Sequence, residues 1–151
     1  MNKKGFTLIE LLIVVAIIGI VAAIAIPNLL TAIQKSKQKS TMGDMKSIGT
    51  AVESYMTDHY IAPSSLLNAG FGNYRAFHIK KFPSTDSWGG AWYYVRDTGF
   101  QDIYSIGSGG RDNSAITSWA NTGEYIVNSL PGFNNDIIYS NGAFVYGPKV
   151  K

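Results

Sequence analysis

The sequence predicts an α+β fold in which one long N-terminal helix packs on a small antiparallel sheet of about four strands. The first observation is an almost unbroken apolar run at residues 6–26, after which a helical pattern continues to about His59. The second is a pair of hairpin patterns in the C-terminal half, where aromatic and branched segments alternate with turn residues. One face of such a sheet can bury an apolar stripe of the helix.

The apolar run is long enough to cross a membrane. At about 1.5 Å of rise per residue, it forms a helix of about 30 Å, the thickness of a bilayer's hydrocarbon core. Lys3 and Lys4 precede it and predict a cytoplasmic N-terminal end. Glu10 interrupts the run without an evident partner nearby in its own sequence. Because a charge inside a membrane is costly, we expect Glu10 to be functional.

The helical pattern continues beyond the apolar run with a more polar composition. Apolar or aromatic residues recur at spacings of three and four, which predicts one face of an amphipathic helix: Met42, Met45, Ile48, Val52, Tyr55, Met56 and His59. Pro27 lacks a backbone donor, so we predict a kink near residues 23–27 of a single helix of about 80 Å. Two separate helices that meet at Pro27-Asn28 are the alternative.

The strand patterns lie after Trp88. Residues 91–96 and 101–106 predict a hairpin whose turn is Asp97-Thr98-Gly99. Residues 137–140 and 143–146 flank Asn141-Gly142, and Asn-Gly between two strands favours a type I′ turn. Two hairpins therefore account for four antiparallel strands.

Composition excludes several classes of function. The chain has 13 Lys+Arg against 10 Asp+Glu, and loss of Lys3 and Lys4 would leave 11 against 10, so nothing favours a nucleic-acid partner. The absence of cysteine excludes disulfides and thiolate zinc sites. His59 and His78 have no recognisable Ser or Asp partner for a hydrolase triad, and we predict no enzymatic activity.

Residues 4–10, Lys-Gly-Phe-Thr-Leu-Ile-Glu, followed by an apolar helix, resemble the N-terminus of type IV pilins and type II secretion pseudopilins. The resemblance implies that a prepilin peptidase cuts after Gly5 and methylates the new amine of Phe6. It implies that Glu10 pairs with the N-terminal amine of a neighbouring subunit. Pro27 falls where many type IV pilins carry a helix-kinking proline.

The resemblance implies a type IV pilin-like fold, with a leader at residues 1–5, a transmembrane and assembly helix at 6–30, and a globular domain at 31–151. That domain includes the C-terminal half of the long helix. We expect a single-pass precursor in the inner membrane that becomes a structural subunit of a type IV-pilus-like, homo-oligomeric filament, periplasmic or extracellular, built by pilus or type II secretion machinery.

Three alternatives to this hypothesis stay open. The chain could instead be the major pseudopilin of a type II secretion system. It could be a membrane-tethered adhesive or DNA-binding module that does not polymerise. Finally, Ala23-Ile24-Ala25 would permit ordinary signal cleavage before Ile26, although Glu10 would interrupt the apolar stretch of such a signal.

Several later segments resemble the major type II pseudopilin: Lys80-Lys81-Phe82-Pro83, Asp86-Ser87-Trp88-Gly89, Tyr93-Tyr94, residues 102–107 and Asp136-Ile137-Ile138. Ser87 and Gly90-Ala91 replace the usual Pro and Asn-Pro of that family. The resemblance implies a calcium ion after the second strand, held by Asp112 and Asp136 with backbone oxygens between residues 105 and 112. The alternative is that these aspartates only begin a turn and a strand.

Overall fold

One long helix and a five-stranded mixed sheet make up the fold, and the α+β class is confirmed. The computed structural model describes residues 5–66, 78–116, 118–120 and 122–149, so Lys3 and Lys4 lie outside the described residues. The elements are α1 (Leu8–His59), β1 (Tyr93–Arg96), β2 (Tyr104–Ser108), β3 (Gly123–Tyr125), β4 (Ile137–Ser140) and β5 (Ala143–Pro148). The strand order in the sheet is β1-β2-β4-β5-β3.

Helix α1 runs through Pro27 without a break for 52 residues. The single helix is therefore confirmed, and the alternative of two helices is wrong. Pro27 cannot donate to the carbonyl four residues back. The Asn28 side chain donates to the carbonyl oxygen of Ile24 at 3.2 Å, one turn back in the same region. The helix ends at His59, and the cap residue that follows, Tyr60, has a left-handed φ of 61°. The kink at Pro27 stays a prediction.

The two halves of α1 have different surroundings. The large apolar side chains from Leu8 to Leu30 are all exposed. Buried positions begin at Gln38 and recur along one face: Gln38, Thr41, Met45, Ile48, Gly49, Ala51, Val52 and Tyr55. Of the predicted face, Met45, Ile48, Val52 and Tyr55 are buried, whereas Met42, Met56 and His59 are partly buried. This face packs on the sheet residues Tyr104, Ile106, Ile137 and Tyr139. The hydrophobic core thus lies between the C-terminal half of α1 and the sheet.

Both predicted hairpins form, and each pairs antiparallel. Strand β1 pairs with β2, with Tyr94 opposite Ile106. Strands β4 and β5 meet at Asn141 and Gly142, whose φ angles of 43° and 86° are both positive, as a type I′ turn requires.

The sheet differs from the predicted antiparallel sheet of about four strands in one added strand and its pairing. A fifth strand, β3, pairs parallel with β5. It has only three residues, so it carries too little alternation to be recognised in the sequence. The strand predicted at 101–106 begins later, at Tyr104, because the turn before it is wider: Asp97 Oδ1 accepts from the backbone nitrogens of Gly99 and Phe100.

Candidate functional site

The start of α1 is closed by a reciprocal pair of side chains, Thr7 and Glu10. The Thr7 backbone nitrogen and Oγ1 donate to Glu10 Oε2 at 2.8 and 2.5 Å, and the Glu10 nitrogen donates to Thr7 Oγ1 at 3.3 Å. This is a capping box, which satisfies backbone donors at a helix start. The expectation that Glu10 has no partner nearby was therefore wrong, because Thr-x-x-Glu is itself a capping sequence.

The other oxygen of Glu10 stays available. Within the described part of the chain, Oε1 accepts no hydrogen bond, since all contacts to the carboxylate go to Oε2. Phe6 and Glu10 are both exposed. Gly5 and Phe6 directly precede the cap residue Thr7, so a chain that began at Phe6 would place its amine next to the capping box. The Glu10 carboxylate can then accept the hydrogen bonds of the cap through Oε2 and pair with a cation through Oε1.

The apolar half of α1 is a large surface that the rest of the chain leaves uncovered. This helix is the one described element long and apolar enough to cross a membrane, and none of its most apolar window is buried. Removal of apolar area from water is the main favourable term in folding and association. This surface is therefore consistent with a helix that a bilayer or other apolar helices cover.

A buried aspartate anchors the loop before the sheet. Asp86 is only 5% exposed. Its Oδ1 accepts from the backbone nitrogens of Trp88 and Gly90 at 2.9 and 2.7 Å. Its Oδ2 accepts from Ser108 Oγ at 2.6 Å. The motif Asp86-Ser87-Trp88-Gly89 alone does not predict this role, because the link between this loop and the end of β2 depends on tertiary contacts.

The structure brings Asp112 and Asp136 into electrostatic range. Asp112 ends the short 3-10 helix Gly110–Asp112, and its Oδ1 accepts from the Ser114 nitrogen at 3.1 Å. Asp136 is partly buried just before β4. Burial, and then the negative charge of Asp112, raise the pKa of Asp136. A cation beside the two carboxylates would relieve this repulsion.

The segment that precedes Asp136 adds an unsatisfied oxygen. Asn134 ends the second 3-10 helix, Leu130–Asn134, and among the described residues its buried Oδ1 has no hydrogen-bond partner. Calcium takes six to eight oxygen ligands, including amide and backbone carbonyls. The described ranges contain no group of three or more His, Cys, Asp or Glu suited to a metal, so carbonyl oxygens would have to supplement the two carboxylates. Oxygen donors of this kind are those that calcium prefers.

Comparison with protein families gives two matches. Residues 1–26 match the prokaryotic N-terminal methylation motif. Residues 28–128 match the model of the type II secretion system (T2SS), protein G. The methylation motif covers Gly5, Phe6 and Glu10, and the second model covers Asp86 and Asp112 but ends before Asp136.

The relatives include type II secretion system core proteins and type IV pilins. The type II secretion system core protein G of Pseudomonas aeruginosa is 34% identical over 139 residues, which is 80% of this chain and 97% of the relative. That of Vibrio cholerae is 31% identical over 129 residues, 77% of this chain and 88% of the relative. The type IV major pilin protein PilA of Myxococcus xanthus is 53% identical over 57 residues, 38% of this chain and 26% of the relative. No solved structure matches the chain.

Proposed function

The chain belongs to the type II secretion system protein G family, and we propose that it is the major filament subunit of such a secretion system. It is a pilin-like subunit, with one long helix on a small sheet. The observation that carries the proposal is the uncovered apolar half of α1, which suits a helix that moves from a bilayer into a bundle of identical helices. This role is structural rather than enzymatic.

A subunit of a type IV pilus is the second candidate. The higher identity to a type IV major pilin, 53%, supports it, but this similarity spans only 38% of the chain. Similarity to the secretion proteins extends over most of the chain and into the sheet. We therefore place the secretion filament first.

Four residues of the N-terminal region have separate roles in this function: Gly5, Phe6, Glu10 and Pro27. A prepilin peptidase of the inner membrane removes residues 1–5 after Gly5 and methylates the amine of Phe6. Oε1 of Glu10, which accepts no bond from the described residues, receives the amine of a neighbouring subunit. Pro27 kinks the helix between the assembly segment and the globular domain. The assembled filament lies in the periplasm or outside the cell.

Calcium binding by Asp112 and Asp136 belongs to the same proposal. Two carboxylates in electrostatic range and the unsatisfied Oδ1 of Asn134 support it. When bound, the ion neutralises both carboxylates and ties the loop after β2 to the start of β4. That cross-link takes the place of a disulfide, which this cysteine-free chain cannot form.

Deletion of the gene in its host, followed by complementation from a plasmid, tests this function. We expect protein secretion into the medium to be lost and then restored, methylated Phe6 to be the first residue of the mature chain by mass spectrometry, and filaments to be visible by electron microscopy. Loss of surface pili with normal secretion would favour the pilus instead. A mature chain that begins at Ile26 would exclude both filaments.

A further inference from the structure

A cavity of about 320 Å³ opens between α1 and the edge of the sheet where β3 and β5 end. Three lysines line it, two from α1 and one that follows β5: Lys35, Lys39 and Lys149. Its wall also includes Gln38 and the apolar side chain of Ile126, which is 69% exposed. The cavity is thus a basic site with an apolar rim.

The lysines of this cavity lack acidic partners among the described residues. In the ranges that the structure describes, no carboxylate forms an ion pair with the three lysines. Gln38 is only 6% exposed, and a hydrogen bond from its side chain to the Tyr125 hydroxyl opposes the rise that burial causes in the pKa of Tyr125. The Tyr125 hydroxyl beside it donates to the carbonyl oxygens of Asn135 and Asp136. Three lysines without acidic partners favour an anionic oxygen ligand, to which the second N–H of the Gln38 amide can add a hydrogen bond.

The distance between the cavity and the end of the apolar segment of α1 limits which ligands can reach the cavity. Lys35 and Lys39 lie five and nine residues after Leu30, about 7.5 and 13.5 Å beyond the apolar segment. The headgroup layer of a bilayer is about 5–7 Å thick on each side, and lysine side chains extend several ångströms toward it. When the apolar segment spans the bilayer, the lysines are therefore within reach of lipid phosphates.

The helix of a second copy at the same height does not offer the required charge. The helix carries no carboxylate from Leu11 to Gly43. Parallel neighbours in the membrane would thus present only Lys35, Lys37 and Lys39 as charged groups along this stretch. Anionic lipid supplies the opposite charge that this helical segment lacks.

We propose that this cavity binds the phosphate of an anionic phospholipid while the subunit is anchored in the membrane before assembly. The inference rests on the membrane anchoring in the proposed function. Lys35, Lys39 and Lys149 neutralise the phosphate, and Gln38 Nε2 donates to one of its oxygens. Such binding holds the globular domain against the membrane surface, and it ends when the subunit leaves the bilayer.

The test uses the full-length chain in neutral detergent, titrated with short-chain phosphatidylglycerol or with phosphatidylcholine of the same acyl length. Bound lipid is counted by native mass spectrometry. We expect tighter binding of phosphatidylglycerol and a loss of about fivefold in its affinity for each of Lys35→Gln and Lys39→Gln. Lys37→Gln is the matched control, because it removes the same charge at the same height but does not line the cavity.

Each other outcome overturns the inference. Equal affinity for the two lipids excludes an anionic headgroup, and an equal loss in Lys37→Gln indicates diffuse charge attraction. Inorganic phosphate that competes at the same concentration as phosphatidylglycerol would identify a free-anion site. If Lys35→Gln abolishes filaments without any lipid preference in the parent chain, the cavity contacts a neighbouring copy. Normal filaments without lipid preference would overturn this inference but leave the proposed function intact.

Discussion

Ser108 Oγ donates a hydrogen bond of 2.6 Å to Oδ2 of Asp86 in the interior of the globular domain. The same carboxylate accepts from the backbone nitrogens of Trp88 and Gly90. Ser108 in turn accepts from the Gly110 nitrogen at 3.2 Å. One buried carboxylate thus joins the loop before β1 to the loop after β2, and the latter loop leads to Asp112.

Replacement of Asp86 should destabilise the domain more than any other change in this network. Asp86→Ala leaves three donors unpaired, and we expect the free energy of unfolding to fall by about 3 kcal/mol. Ser108→Ala removes one donor and should lower it by about 1–2 kcal/mol. Urea unfolding of the detergent-solubilised chain, followed by near-UV circular dichroism, measures both.

Ser87→Ala is the control for these two variants. It removes a hydroxyl from the same loop, and it keeps the backbone nitrogen that donates to Thr41 Oγ1. We expect a change within about 0.5 kcal/mol. If Asp86→Ala unfolds at the same urea concentration as Ser87→Ala, the Asp86 network does not stabilise the fold.

Short sequence patterns predicted the secondary-structure elements that residues close in sequence determine. The spacing of Met45, Ile48 and Val52 predicted the buried face of α1, and Asn141-Gly142 predicted the second hairpin; the structure confirms both. The parallel pairing of β3 with β5 joins Gly123 to Tyr146, and no local pattern encodes such a distant contact. The role of Asp86 and the grouping of lysines around Gln38 were not predicted for the same reason, because both depend on residues that are distant in sequence and close in the fold.

The Glu10 partner is a different case, because its signal was present in the sequence. Thr7-x-x-Glu10 has the spacing of a capping box. The position of Glu10 in an apolar run, however, favoured a partner in another subunit. The structure shows that a local partner exists and that one carboxylate oxygen is still unused among the described residues.

Buried tyrosines should make the fold sensitive to high pH. Burial raises the pKa of Tyr94, Tyr104 and Tyr125 above the ordinary value of 10.0. Above pH 10 the unfolded chain releases phenolic protons that the folded chain retains, so stability is fully present below pH 10 and falls as the pH rises further. Melting temperatures between pH 8 and about 11.5 measure this fall.

Two variants separate this effect from general alkaline damage. Tyr104→Phe removes the hydroxyl that donates to Glu53 and Gly49, so it should lower stability by about 1 kcal/mol at neutral pH and make the alkaline fall shallower. Tyr60→Phe, at a residue that is 87% exposed, should leave the slope unchanged. An identical slope in Tyr104→Phe and the parent chain would refute the role of this tyrosine.

Calcium should raise the thermal stability of the full-length chain. A ligand that binds only the folded state adds about 2.7 kcal/mol at a hundredfold excess over its Kd. We therefore expect the melting temperature to be several degrees higher in calcium than in chelator. Asp112→Asn and Asp136→Asn should each abolish the difference, because each removes a candidate ligand.

Asp102→Asn is the control for calcium, since Asp102 is exposed and lies outside the candidate site. It should preserve the full shift in melting temperature. Equal melting temperatures of the parent chain in calcium and chelator would rule out a structural ion. A shift that Asp112→Asn and Asp136→Asn both retain would place the ion elsewhere.

The last prediction separates the two tasks of Glu10, which are the cap of α1 and the pairing with an amine. Glu10→Ala removes both, and it leaves the amine of an incoming Phe6 without a counter-charge in an apolar bundle, where unpaired charges are costly. We expect normal insertion and normal cleavage after Gly5, but few or no filaments. Glu10→Gln should be intermediate or equally defective, because an amide accepts a hydrogen bond but does not neutralise an amine. Mass spectrometry and electron microscopy provide the two readouts.

Thr7→Ala is the matched variant, because it removes the cap side chain and keeps the carboxylate of Glu10. Loss of an N-cap lowers helix stability by about 1 kcal/mol, which a helix of 52 residues tolerates. We therefore expect filaments in near-normal number from Thr7→Ala. Filaments of normal number and length from Glu10→Ala would show that the charge does not drive assembly. If Thr7→Ala is as defective as Glu10→Ala while both are cleaved, the geometry of the helix start governs docking, because only the cap is lost in both variants.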